Sequence, residues 1–177
     1  LTGLLKGNGT GAVTGGAGLN DLSDASFAAT ANGSLYVGQI SSQLSGTPVG
    51  NVTLGGGVAK VATTAFDNTL VGSDAAVAMT EGNANVAIGS DVAATLTTGT
   101  NNTIIGDSAD ISGATLSSTT VVGQGASGAA DSTVVGKGAT ASTNGTAIGS
   151  GAAIASISDL RLTAVGQNAL AACNGGD

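Results

Sequence analysis

The sequence has no histidine and no tryptophan, and it contains one tyrosine, two phenylalanines, one proline and one cysteine. Without histidine, neither a Ser-His-Asp nor a Cys-His catalytic site can form. Each aromatic side chain buries on the order of 150–250 Å², so a chain with three aromatics needs a thin core of small and β-branched residues. The single cysteine, Cys173, excludes an intrachain disulfide and is interpreted as a small apolar filler.

Charge is also scarce, since charged residues make up 8% of the 177 residues and the net charge is −7. The four basic residues are scattered, so they form no stripe that could neutralise phosphates, and nucleic-acid binding is not expected. The apolar runs are only a few residues long, so membrane insertion is not expected. Disorder of the repeated region is disfavoured, because disordered segments are poor in β-branched residues and rich in charge or proline.

A five-residue phrase ending in glycine recurs along the chain. "NTLVG" ends at Gly72, "NVAIG" at Gly89 and "NTIIG" at Gly106. Successive closing glycines show a 17-residue spacing five times, then a 13-residue spacing twice, then a 17-residue spacing again. This regularity is typical of a solenoid. The closing glycines, which we expect to form turns with positive φ, are Gly38, Gly55, Gly72, Gly89, Gly106, Gly123, Gly136, Gly149 and Gly166.

The residues before each glycine predict a short strand. The residue next to the glycine is β-branched in eight of nine copies, which favours strand over helix. The residue two positions earlier shares its strand face, and we interpret that face as the interior of each coil. The predicted core column therefore comprises Val37, Leu54, Val71, Ile88, Ile105, Val122, Val135, Ile148 and Val165.

The position between these two columns, from Tyr36 to Ala164, is also apolar in most copies. Strands that are apolar on both faces are buried on both faces. A 13-residue or 17-residue coil is too thin to cover both with its own atoms, so this middle column is expected to need a partner chain. The four extra residues of the longer repeat fall in the return segment, which predicts return loops at the surface.

The stretch "NVAIGSDVAATLTTGTNNTIIG" resembles the repeat unit of YadA-like trimeric autotransporter adhesin heads. Its 17-residue spacing with "TTG" also resembles Gly/Asn-rich bacteriophage tail fibres. The resemblance covers residues 34–177 and implies an all-β parallel β-roll or β-solenoid of nine coils, left-handed and assembled as an elongated homotrimer. Residues 1–33 form a predicted N-terminal lead-in, because "LTGLLKGNGTGAVT" resembles a module of phage tail-fibre proteins.

The sequence predicts no catalytic, cofactor or metal site. Asp74 and Asp91 occupy equivalent positions in adjacent repeats and are interpreted as solvated turn residues, because a hard cation needs six to eight oxygen ligands. A glycosidase-like carboxylate pair is an alternative. Such a site would need aromatic side chains to stack on a sugar, and the sequence has only Phe27, Tyr36 and Phe66. Exposed threonine rows would suit ice binding, but the threonines share the face that we predict to be interior.

These patterns together predict a non-enzymatic structural and adhesive segment of a trimeric fibre on a virion, such as a phage tail fibre that attaches to a host cell. The expected partners are two further copies, other tail, baseplate or fibre proteins, and a host cell-surface receptor such as a polysaccharide. The alternative is the head of a trimeric autotransporter on the bacterial cell surface. A polysaccharide depolymerase and an ice-binding solenoid are the less favoured alternatives. Loop tips such as residues 97–99 are too generic to identify receptor-binding residues.

Overall fold

The computed structural model describes residues 35–37, 49–154 and 161–170. The elements in these ranges are β-strands joined by turns and bends, with no helix among them. Nine three-residue strands coincide with the nine repeated phrases. They are β1 (Leu35–Val37), β2 (Val52–Leu54), β3 (Thr69–Val71), β4 (Val86–Ile88), β5 (Thr103–Ile105), β7 (Thr120–Val122), β9 (Thr133–Val135), β11 (Thr146–Ile148) and β12 (Thr163–Val165). Three two-residue strands follow some of the turns: β6 (Asp110–Ile111), β8 (Ser127–Gly128) and β10 (Thr140–Ala141).

The strands stack into two parallel sheets. The larger sheet has the order β1-β2-β3-β4-β5-β7-β9-β11-β12, and the smaller has the order β10-β8-β6. Every pairing in the larger sheet aligns equivalent repeat positions, as when Thr69 pairs with Val86 and Leu70 with Ala87. The chain therefore advances by one strand of the larger sheet per repeat, as a β-solenoid does. The predicted all-β parallel solenoid is confirmed.

The core lies under the middle position of each strand. Leu70 is 1% exposed, and Ile104 and Val121 are fully buried. They pack in one hydrophobic cluster with the residue three positions after each glycine, such as Ala75 and Val92. Because strand side chains alternate between faces, burying the middle position turns the first and third positions outward.

The prediction of the core column is therefore wrong. Leu54 is 49% exposed, Ile88 38% and Val165 66%, whereas the middle column from Thr53 to Ala164 is buried without any partner chain. The column that points outward comprises Val37, Leu54, Val71, Ile88, Ile105, Val122, Val135, Ile148 and Val165. A period of two identifies which residues share a face, but both faces here are apolar, so it does not identify the inner one.

The closing glycines lie where the chain turns out of each long-sheet strand. From Gly55 to Gly166, the eight described closing glycines have φ between 127° and 148°, a region that favours glycine. A Cβ on Gly106 would lie 2.6 Å from the carbonyl carbon and oxygen of Gly123 in the next coil. Gly38, Cys173 and the predicted lead-in (residues 1–33) lie outside the described residues.

The extra residues of the described 17-residue coils are only partly exposed. Two backbone hydrogen bonds locate these residues. Ser118 N donates to Thr100 O, and Asp131 N donates to Ser117 O in the next coil, so Asp131 of the short coil occupies the position of Ser118 in the long coil. On that alignment the four extra residues are 62–65, 79–82, 96–99 and 113–116. Met79 and Leu96 are fully buried, so the prediction of external return loops is wrong for them. We call these four segments the inserts. Each widens its coil, and the first three place buried side chains in the core.

Candidate functional site: an exposed sheet face

The outward side of the nine-stranded sheet is the feature that a single chain leaves uncovered. We call it the sheet face and define it by the first and third residues of the nine long-sheet strands. With about 4.8 Å between strands and about 3.3 Å per residue, it measures roughly 40 Å by 10 Å. The first residues are Leu35, Val52, Thr69, Val86, Thr103, Thr120, Thr133, Thr146 and Thr163; the third residues are those of the outward column.

The sheet face carries no charged side chain. Its third positions are all aliphatic, and Leu54, Ile148 and Val165 are 49%, 39% and 66% exposed. Its first positions are aliphatic in three of the first four strands and threonine from Thr103 onward. This uncharged area of roughly 400 Å², in which six of the eighteen residues are threonine, is comparable in size with the largest apolar patches on typical monomers, which are often functional.

The outward threonines overturn another expectation. The sequence pattern placed them inside the coil, but Thr133 and Thr163 are exposed and Thr103 and Thr120 are half-buried on the sheet face. Parallel pairing holds them in a row, with Thr103 next to Thr120 and Thr120 next to Thr133. The sheet face therefore presents a row of hydroxyls beside a row of aliphatic side chains.

Buried asparagines fix one edge of the sheet face. Asn68 is 1% exposed and directly precedes β3, and its Oδ1 accepts hydrogen bonds from the backbone N and the Nδ2 of Asn85 at 2.9 and 3.0 Å. Its own Nδ2 donates to Gly82 O at 2.8 Å. These bonds hold successive strands in register. Sequence reasoning missed this role, although asparagine opens four of the nine repeated phrases.

Among the described residues, the charged side chains lie outside the strands of the larger sheet. Burial raises the pKa of Asp110, whose carboxylate accepts hydrogen bonds from Thr95 N at 3.1 Å and Ile111 N at 2.8 Å. A hydrogen bond and ion pair with Lys60 lower the pKa of Asp74. Asp74 and Asp91 both have φ of 50°, as turn residues do.

The described ranges hold no group of three or more histidine, cysteine, aspartate or glutamate side chains able to bind a metal. A cavity lined by Ala59, Leu70 and Met79, among others, has a volume of about 10 Å³. That is about the space of one water molecule, far below the several hundred Å³ of a ligand pocket. The same ranges contain no candidate membrane-spanning helix.

No protein-family model matches the chain, and no curated protein matches it. The sheet face is therefore the candidate functional site on geometric grounds: it is large, uncharged, regular and held rigidly in register.

Proposed function

We propose that this chain is a non-enzymatic structural and adhesive segment of a trimeric fibre on a virion, such as a phage tail fibre, in which three copies bury their sheet faces against one another. The observation that carries the proposal is the exposed aliphatic column on an uncharged sheet face. Side chains such as Leu54 and Val165 lose contact with water only when another surface covers them.

The dimensions of the sheet face suit self-association. A standard interface buries about 800 Å² on each partner, and obligate homo-oligomer interfaces are more apolar than transient ones. The projected area of roughly 400 Å² underestimates the accessible area, because rows of valine, isoleucine and threonine are corrugated. Around a threefold axis each narrow face meets two neighbours. The number three, the left-handed coil and the virion location rest on the resemblance to YadA-like heads and tail fibres.

The proposed mechanism of attachment is mechanical and multivalent. Parallel ladders make the rod stiff, and each outward side of a coil would occur three times around the axis. Weak contacts with a host receptor such as a polysaccharide then add through effective concentration. A net charge of −7 per chain gives 3 × −7 = −21 per trimer, which favours soluble, separate rods. Other tail, baseplate or fibre proteins would anchor the ends.

A charge on the sheet face tests the assembly. Ile88→Lys places an ammonium group at a position that is 38% exposed in the single chain, so the variant can fold. In the trimer the lysine would be buried against two copies of itself, and we expect dissociation to single chains by light scattering. Thr64→Lys, at an exposed position outside the sheet face, is the control and should leave the mass unchanged. Equal masses for both variants would contradict the proposal.

Attachment is tested separately from assembly. Labelled trimer should bind host bacterial cells, and an Ile88→Lys variant shown to be monomeric should bind far less, because avidity is lost. Equal binding by the monomer would remove multivalency from the mechanism. The autotransporter-head alternative predicts the same trimer and is decided by an outer-membrane anchor encoded downstream. Release of oligosaccharide from capsule would instead establish a depolymerase.

Ice binding is a second candidate, because the objection to it no longer holds. The threonines point outward, and their row runs at the regular spacing between parallel strands beside the aliphatic row. Such an array could order water only if no second copy covers it. A monomeric wild-type chain that inhibits ice recrystallisation, with the inhibition lost in Thr120→Lys, would favour this candidate over the fibre.

A further inference from the structure

Four buried asparagines form a ladder beside the long-sheet strands. They directly precede β2, β3, β4 and β5, and each is at most 3% exposed: Asn51, Asn68, Asn85 and Asn102. Within the ladder, Asn85 repeats the contacts of Asn68. Its Oδ1 accepts from the N and Nδ2 of Asn102 at 3.0 Å each, and its Nδ2 donates to Asn68 Oδ1 at 3.0 Å.

Each asparagine also donates to the last residue of an insert. The acceptor is always the backbone carbonyl 14 residues further along the chain, at 2.8 or 2.9 Å. The pairs are Asn51 with Ala65, Asn68 with Gly82, Asn85 with Gly99 and Asn102 with Leu116. The asparagine amide therefore closes the widened coil by satisfying the carbonyl at the end of its insert.

Where the insert is missing, the asparagine is missing too. Thr119 directly precedes β7 and the first 13-residue coil, and its Oγ1 donates to Ala129 O at 3.0 Å, ten residues along. That is four residues fewer than in the long coils, which is the length of the insert. Ser132 precedes the second short coil, but its Oγ donates back to Ala129 O, three residues earlier in the first short coil, at 2.7 Å. Two further 17-residue coils follow Ser34 and Gly145. They include residues 38–48 and 155–160, which lie outside the described residues.

We propose that an asparagine directly before a long-sheet strand requires a 17-residue coil after it, whereas the shorter side chain of Thr119 matches a 13-residue coil. The reason is polar satisfaction at a buried position. A hydroxyl cannot span the wider coil, so the insert's last carbonyl would be left without its donor. An asparagine in a narrow coil would bury an amide without its acceptor. Buried polar groups left unpaired are costly.

The match between asparagine and insert affects the width of successive coils. Because the inserts widen their coils, the asparagine ladder marks four consecutive coils that have the wider form. In this chain the ladder runs through four coils and stops at Thr119, whose N donates to Asn102 Oδ1 at 3.0 Å. All of these hydrogen bonds lie within one chain, so they form whether or not three copies associate.

A double-mutant cycle at the end of the ladder tests the proposal. The four chains are wild type, Asn102→Thr, a deletion of residues 113–116, and the deletion combined with Asn102→Thr. In the full-length chain, Asn102→Thr should lower the melting temperature by a few degrees. In the deleted chain, the same substitution should have no cost or a gain, because the threonine then matches a 13-residue coil. The substitution removes the side-chain hydrogen bonds that join Asn102 to Asn85 and Thr119 in both backgrounds, so their loss cancels when the two backgrounds are compared.

An equal loss in both backgrounds would overturn the proposal. The reverse design covers a deletion that fails to fold: the insert Leu-Thr-Thr-Gly is placed between Ala129 and Ala130, with and without Thr119→Asn. The asparagine should raise the melting temperature of the lengthened chain and lower that of the unlengthened chain. A loss in both chains would overturn the proposal here as well. Light scattering on every variant separates these outcomes from a failure of trimer assembly.

Discussion

At the scale of single residues, the glycine ending each phrase is required by two independent constraints. Gly106 has φ of 140°, and an added Cβ would lie 2.6 Å from the backbone of Gly123. The neighbour is main chain in the next coil, so it cannot move aside as a flexible side chain would. Stacking of identical coils thus repeats the same close approach at every level of the solenoid.

We predict that Gly106→Ala lowers the free energy of unfolding by about 2–4 kcal/mol, as expected for a strained φ combined with overpacking. Gly56 is the matched control, because its backbone is not left-handed and no atom lies within 4 Å of the place that a Cβ would occupy. Gly56→Ala should change the free energy by less than about 0.5 kcal/mol. Urea denaturation of both variants measures the difference, and similar values would contradict the stacking argument.

Asp110 is predicted to destabilise the fold as pH rises. Burial raises the pKa of its carboxyl, so the native state binds the proton more tightly than the unfolded state does. Its contribution to stability is therefore present below the unfolded pKa of about 3.8 and is lost as pH rises through the higher folded pKa. We expect Asp110→Asn to gain melting temperature relative to wild type as pH rises from 3 to 7.

Asp74 provides the opposite case. Its pKa is lowered, first by the hydrogen bond from Lys60, so its contribution is present above the unfolded pKa and is lost as pH falls through the folded pKa. Asp74→Asn should lose melting temperature relative to wild type as pH rises, by a small amount because the pair is solvent-exposed. If the melting temperatures of Asp110→Asn and Asp74→Asn, relative to wild type, changed in the same direction with pH, the assigned directions of the two pKa shifts would be contradicted.

At the scale of elements, the inserts behave as core segments. We predict that Leu96→Ala, at a fully buried position, lowers the free energy of unfolding by about 2–5 kcal/mol. The exposed neighbour Thr98 lies in the same insert, and Thr98→Ala should change it by less than about 0.5 kcal/mol. Denaturation curves distinguish this from a surface loop, for which both substitutions would be nearly neutral.

The strands were predictable from the sequence, but their inner face was not. Repeat spacing and β-branched residues located the strands, and the glycine column located the turns. Leu54 and Leu70 are equally apolar, but only Leu70 packs in the cluster that contains Ala75 and Val92. The asparagine ladder was missed because its hydrogen bonds join residues far apart in the sequence, which no local propensity registers.

At the scale of the whole molecule, the inner and outer faces of the long-sheet strands are the reverse of those predicted. This reversal changes which surface is expected to contact a partner chain. The middle column is already buried within one chain, and the outward column is the one that remains exposed. The expectation that the middle column needs a partner chain is therefore wrong. We propose instead that the sheet face is the surface that other copies cover. The trimer remains a proposal, and the resemblance to fibres and adhesin heads supplies its stoichiometry.

The most direct test is the mass of the wild-type chain in solution, measured by light scattering over a range of concentrations. We predict a stable species at three times the chain mass of 16.4 kDa, with no monomer at micromolar concentration. A single species of 16.4 kDa throughout that range would contradict the proposed assembly, because the sheet face would then be stable in water without a second copy.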